Sequence, residues 1–165
     1  MVVLRCTKKL QNRLRVELSE DDTPCTNALG PWYGNLIYVG RQQLVMVTNE
    51  RTFLTVVVPA REGATVNERI REALGRLLLR IGIDKATIEL ELREMQDVTY
   101  SRTMSRTVLG VMNDFGRAVD WTLYQDPHSS LDDLGYFLAE MITGALKETR
   151  PMGAARDVFS ARHAP

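Results

Sequence analysis

Asn35-Leu36-Ile37-Tyr38-Val39-Gly40-Arg41-Gln42-Gln43-Leu44-Val45-Met46-Val47-Thr48 is the stretch that decides the fold. Leu36 to Val39 and Leu44 to Thr48 are rich in β-branched and apolar side chains, which suit a pleated, half-buried surface. Between them, Gly40-Arg41-Gln42-Gln43 supplies a short turn with a glycine. Phe53 to Val58 adds a third run, stopped by Pro59. The spacing predicts an antiparallel meander with short connections. Val56-Val57-Val58 is apolar at consecutive positions, which predicts cover on both faces of that strand.

Towards the N-terminus, Val2 to Cys6 reads as a short strand. Thr7 is placed to cap a helical turn or two through Lys8, Lys9, Leu10 and Leu14. Ser19-Glu20-Asp21-Asp22-Thr23-Pro24 reads as an acidic loop and Gly30-Pro31 as a second breaker.

Towards the C-terminus, Thr65-Val66-Asn67-Glu68 has the form of a capping box. The helix after it carries Val66, Ile70, Ala73, Leu74, Leu77, Leu78 and Ile81 at helical spacing, and Gly82 suits its C-terminal end. Arg69, Arg71, Arg76 and Arg80 fall on its outer face. They read first as a solvated face with side-chain ion pairs, and otherwise as a patch for an anionic partner.

From Asp84 to Met95 two periods compete. Ile88, Leu90 and Leu92 alternate with charges, as in a strand, while Ile88, Leu92 and Met95 form a helical stripe. Asp84 as a cap tips the reading to helix. Val98 to Arg102 follows as a short strand. A long helix is expected from Ser105 to Tyr124, burying Val108, Leu109, Met112, Phe115, Val119 and Leu123. Ser130 caps another, whose stripe continues to Leu146 before Thr149-Arg150-Pro151. The predicted fold is α+β, a small, mostly antiparallel sheet covered by three to four helices. Residues 1–150 are read as one domain and 151–165 as a loosely held tail.

The 165 residues hold 21 Lys plus Arg and 21 Asp plus Glu, for zero formal charge. That balance does not favour a nucleic-acid partner, whose binders are usually strongly basic on one face. Cys6 and Cys25 do not make a disulfide framework, and with His128 and His163 they lack zinc-site spacing. No cofactor or metal is therefore expected. Met1-Val2-Val3-Leu4-Arg5 leads straight to Lys8-Lys9 without an apolar signal core, and no run approaches the roughly 18 apolar residues of a membrane span. A cytosolic location is the expectation.

No phosphate loop, nucleophile elbow or His-Glu-x-x-His occurs. Suspicion falls instead on polar side chains at strand and helix ends. Trp32 and Tyr33 follow Gly30-Pro31 and could form a stacking platform or plug the core. Asn49 and Glu50, in Thr48-Asn49-Glu50-Arg51, suit either a turn or a shared pocket. Arg102, Ser105 and Arg106 put cations at a positive helix end, which calls for an acidic partner: a bound anion or a carboxylate such as Glu50. Asn113 lies two turns along that helix, on the side of Arg106, Arg117 and Asp120. The leading expectation is a non-enzymatic binding or regulatory module for an anionic or polar ligand. Its site would comprise Lys8, Trp32, Asn35, Asn49, Glu50, Arg106 and Asn113. A metal-dependent hydrolase or nuclease would use Glu50, Asp114 or Asp120. A protein-interaction module would expose Met112, Phe137 and Met141 to a partner or a second copy.

Cys6-Thr7-Lys8-Lys9-Leu10, Trp32-Tyr33-Gly34-Asn35-Leu36, Thr48-Asn49-Glu50-Arg51-Thr52, Ser105-Arg106-Thr107-Val108-Leu109-Gly110-Val111-Met112-Asn113-Asp114 and Pro151-Met152-Gly153 occur in that order. Together they resemble a family of small bacterial proteins catalogued as a domain of unknown function. The resemblance spans nearly the whole chain. It implies a cytosolic bacterial protein and hands over no activity, cofactor or catalytic residue.

Overall fold

A computed structural model describes residues 1–20, 24–61 and 65–162. The Asp21-Asp22-Thr23 part of the acidic loop, the capping hydroxyl of Thr65, and His163 with the two residues after it lie outside the described residues. In chain order the elements are β1 (Val2–Cys6), α1 (Lys8–Leu14), β2 (Trp32–Val39), β3 (Gln42–Asn49) and β4 (Thr55–Pro59). After them come α2 (Thr65–Arg80), α3 (Lys85–Glu94), β5 (Val98–Arg102), α4 (Arg106–Gln125), α5 (Leu131–Glu140) and α6 (Pro151–Arg162).

The sheet has the order β4-β3-β2-β1-β5. The meander is present: β2 pairs with β3 and β3 with β4, both antiparallel. At the other side of the sheet, β1 lies parallel to both β2 and β5. The fold is α+β as expected, with a parallel end that the local pattern did not announce.

Alternation along the strands divides the core in two. Leu4, Trp32, Leu36, Val45, Val47, Val56 and Val58 face one layer, shared with Leu74 and Leu78 of α2 and with Phe159 of α6. Tyr33, Met46 and Val57 face the other, shared with Phe115 and Val119 of α4 and Leu138 of α5. Leu74 and Leu78 are fully buried, and each such leucine contributes about 1.5–3 kcal/mol. Val56 and Val58 of β4 are buried in the first layer and Val57 in the second, so both faces of the strand are covered, as its three consecutive valines predicted, and α2 and α5 both touch it. Four helices, α1, α2, α4 and α5, lie directly on the sheet, while α3 packs on α2 and α6 on α5.

α1 packs its Leu10 side chain closely on Gly34 of β2. A Cβ there would come within 2.5 Å of Leu10 Cδ2, so any side chain at that strand position would force the Leu10 methyl group aside. Gly82 follows α2 with φ +87°, the left-handed end that glycine adopts without steric cost.

Residues 85–94 are helical as expected, with Asp84 accepting from Thr87 N at 3.0 Å as the cap. Other boundaries differ from the pattern. Trp32 and Tyr33 open β2 instead of sitting in a loop, and Phe53 turns at φ 56° before β4 begins. α5 stops at Glu140, where Met141 becomes extended; Ile142, Thr143 and Gly144 that follow are all weaker helix formers than leucine or alanine. Residues 151–162, expected as a loosely held tail, instead form α6. Its Ala155 and Phe159 are buried, and Arg156 donates to Ile81 O at 2.8 Å. The proline read as a stop is the first residue of this helix, where a missing N–H costs nothing.

Candidate functional site

Strand order reverses at β1. The chain leaves β1 through α1 to reach β2 on one side, and returns from β4 through α2 and α3 to place β5 on the other. In sheets with parallel neighbours, a crevice opens outside the carboxyl ends of the strands at such a reversal. Here those ends are Cys6 and Arg102.

A groove of about 790 Å³ lies there, lined by Cys6, Lys8, Gln11, Glu17, Arg102 and Thr103, with Val16 and Leu18 as its apolar wall. The segment carrying Glu17 and Leu18 is tied to the outer side of β5 by Ser19 N donating to Tyr100 O at 2.7 Å. Lys8 and Arg102 are both exposed. Among the described residues neither has a carboxylate partner, and Lys8 Nζ donates only to Gln11 Oε1 at 3.3 Å.

Thr7 fixes the groove's α1 side. Its Oγ1 accepts from Leu10 N at 3.4 Å and donates to Asn35 Oδ1 at 2.7 Å. Asn35 thus anchors the start of the helix that presents Lys8. Cys6 closes the floor. Burial pushes its thiol up to about 12, so it stays protonated at neutral pH, and the thiol form is a poor nucleophile and ligand.

A second polar knot sits on the opposite sheet face. Tyr33 Oη donates to Glu50 Oε1 at 3.2 Å and accepts from Ser105 N at 3.1 Å. Ser105 in turn caps α4, accepting from Val108 N at 3.3 Å. Glu50 therefore reaches the start of α4, but through a tyrosine and not through Arg106. Burial raises the Tyr33 hydroxyl first of all, the Ser105 amide opposes that shift, and the Glu50 charge adds to it. Tyr33→Phe should cost about 1–2 kcal/mol, since it leaves the Ser105 amide without its acceptor. Denaturant unfolding would measure the loss, and faster amide exchange at Ser105 would place it.

The sequence-selected residues therefore scatter. Lys8 lines the groove and Asn35 supports it from behind. Trp32 is 1% exposed, and it lines a small void with Asn67 and Arg71 in the core beneath α2. Asn49 is fully buried, and its amide is consumed by five hydrogen bonds to Leu29, Pro31, Arg51 and Thr52. Arg106 and Asn113 lie exposed along α4. Gln11, Glu17 and Thr103 carry no local signal of a site, since the parallel pairing of β1 with β5 is what brings Thr103 beside the α1 side of the groove. Asp114 is exposed and paired with Arg117 at 3.1 Å. Among the described residues, no three His, Cys, Asp or Glu side chains gather to hold a metal ion. Met112 is buried, whereas Phe137 is 47% exposed. No described helix is long and apolar enough to cross a membrane.

Compared with known families, residues 3–154 match the model of DUF6933, a domain of unknown function. No curated protein and no solved structure matches the chain.

Proposed function

The chain belongs to the DUF6933 family, and from the geometry of its groove we propose that it is a non-enzymatic binding module for a small anionic or polar ligand. The observation that carries this reading is the pair of cations, Lys8 and Arg102, without a carboxylate partner among the described residues, on one groove at the carboxyl ends of neighbouring parallel strands. The groove's volume falls within the range of small-molecule sites. Arg102 offers a planar fork to a carboxylate or phosphate, and Lys8 a mobile point charge. Gln11 and Thr103 add neutral hydrogen-bonding groups, and Glu17 disfavours ligands that are anionic at every edge. Cys6, held as a thiol, and a single exposed carboxylate supply little for turnover, which favours binding over catalysis.

Thermal shift with inorganic phosphate, mononucleotides and short dicarboxylates tests the proposal. A ligand at 100 times its Kd stabilises the fold by about 2.7 kcal/mol. We expect a shift in the wild type that is lost in Lys8→Ala/Arg102→Ala, whose exposed side chains contribute little to the fold. Arg106→Ala, on the first turn of α4, distinguishes a ligand confined to the groove from one that reaches along that helix. An unchanged shift in the double variant, or no shift with any of these anions, would end the proposal.

A further inference from the structure

α4 has two differently organised faces. Val108, Met112, Phe115 and Val119 are buried against the sheet. The outward face carries Thr107, Gly110, Asp114, Arg117, Trp121 and Tyr124, all exposed. Thr107, Asp114 and Trp121 recur every seven residues, and so do Gly110, Arg117 and Tyr124, three positions later. That is the a/d spacing of a helix seam, on a face the fold leaves open.

The residue types on that seam are self-complementary. When a second α4 is laid antiparallel, a positions meet d positions. Asp114 then faces Arg117 of the second copy, Gly110 faces its Trp121, and Thr107 faces its Tyr124. The two-fold axis repeats each layer, so opposite charges meet at the centre and a large side chain meets a small one on either side. In the monomer these residues lack such partners. Trp121 and Tyr124 are 64% and 77% exposed, and among the described residues they stack on each other, at 6.3 Å between centroids. Gly110 weakens the helix interior, yet no atom lies within 4 Å of where its Cβ would be. Among the described residues Asp114 and Arg117 pair with each other within the helix, with both side chains mostly in solvent.

We propose that the outward face of α4 docks antiparallel on the α4 of a second copy of this chain, forming a symmetric dimer. The charge order selects this register. Sliding one helix by a turn would remove the central Asp–Arg pairs and bring Trp121 off the glycine. An isologous contact of this kind closes on itself and does not propagate.

Sedimentation equilibrium of the full chain, up to about 100 μM so that micromolar association is detected, is the first reading. The wild type should be a dimer at the upper end of that range. Asp114→Arg and Arg117→Asp each put like charges at the centre, and each alone should sediment as a monomer, with a melting curve matching the wild type at dilutions where the wild type is itself dissociated. Mixed in equal amounts, the two variants should associate, because each then supplies the charge the other lacks. Trp121→Ala should also weaken the dimer while leaving the fold intact. A wild type that stays monomeric throughout, a dimer indifferent to these substitutions, or a mixture that fails to associate would each overturn the proposal.

Discussion

Glu91→Ala should remove about 3–5 kcal/mol of stability, a loss comparable to breaking a buried charged contact. The Glu91 side chain, on α3, is 2% exposed. Its carboxylate accepts from Asn27 Nδ2 at 2.9 Å, Ala28 N at 2.6 Å and Leu29 N at 3.2 Å. The substitution would strand two backbone amides in the interior, together with one N–H of the Asn27 side chain, whose amide still donates to Gly30 O; each unsatisfied group costs about 1–3 kcal/mol. Set against a typical domain stability of about 5–15 kcal/mol, the variant would be marginal. Glu91→Gln keeps the volume but replaces one acceptor with a donor facing amide protons, so it should recover only part of the loss. Urea unfolding of both variants is the measurement. A loss below about 1 kcal/mol for the alanine variant would mean that water replaces the carboxylate without difficulty.

Glu91 also shows why this part of the chain was hard to read. As a strand, 88–93 sorts apolar residues to one face and charges to the other, and Glu91 falls with the charges. As a helix, Ile88, Glu91, Leu92 and Met95 share one face. The carboxylate is then the group that a buried loop needs, while Leu90 is 48% exposed. Periodicity assigns charge to solvent, and it fails where a charge has found backbone donors. The meander was legible because its signal is local: alternation, a short turn and a terminating proline. The parallel pairings Leu4 with Trp32 and Leu4 with Tyr100 join segments separated by whole helices, and no local pattern encodes which distant strand lies alongside. α5 shows the opposite error. The apolar stripe ran on through Ile142, but that side chain is 78% exposed, because spacing alone does not say where a helix loses its partner.

Of the candidate site, the charges at element ends were legible and their grouping was not. Lys8 after a strand and Arg102 at the end of another are both visible in the sequence. That they line one groove follows from the sheet order. Asn49 and Trp32 drew attention by being polar or aromatic next to turn residues. They occupy paired positions at the start of β2 and the end of β3, where the chain itself satisfies the asparagine and encloses the indole.

Asn49→Ala is accordingly expected to be a stability variant with an effect near that of Glu91→Ala, about 3–4 kcal/mol. Asn49 Nδ2 donates to Leu29 O at 3.0 Å and Pro31 O at 3.1 Å. Its Oδ1 accepts from Arg51 N at 3.1 Å, Thr52 N at 2.9 Å and Thr52 Oγ1 at 2.9 Å. The same turn holds Phe53 at φ 56°, a left-handed conformation that a non-glycine residue keeps only when its surroundings enforce it. Asn49→Asp tests the donor half alone. The carboxylate keeps the acceptors for the turn but aims its second oxygen at two carbonyls. Burial and those carbonyls would raise its folded pKa above the unfolded value of about 3.9. The aspartate variant should therefore be closest to wild type below that pH and lose stability as pH rises through the folded pKa. A pH-independent deficit would show that the amide donors to Leu29 and Pro31 contribute little. Leu29 donates to Glu91 and accepts from Asn49, so both side chains hold one segment, that leading into β2. Once either is removed the segment has less order left to lose, and the double alanine variant should cost less than the sum of the two singles.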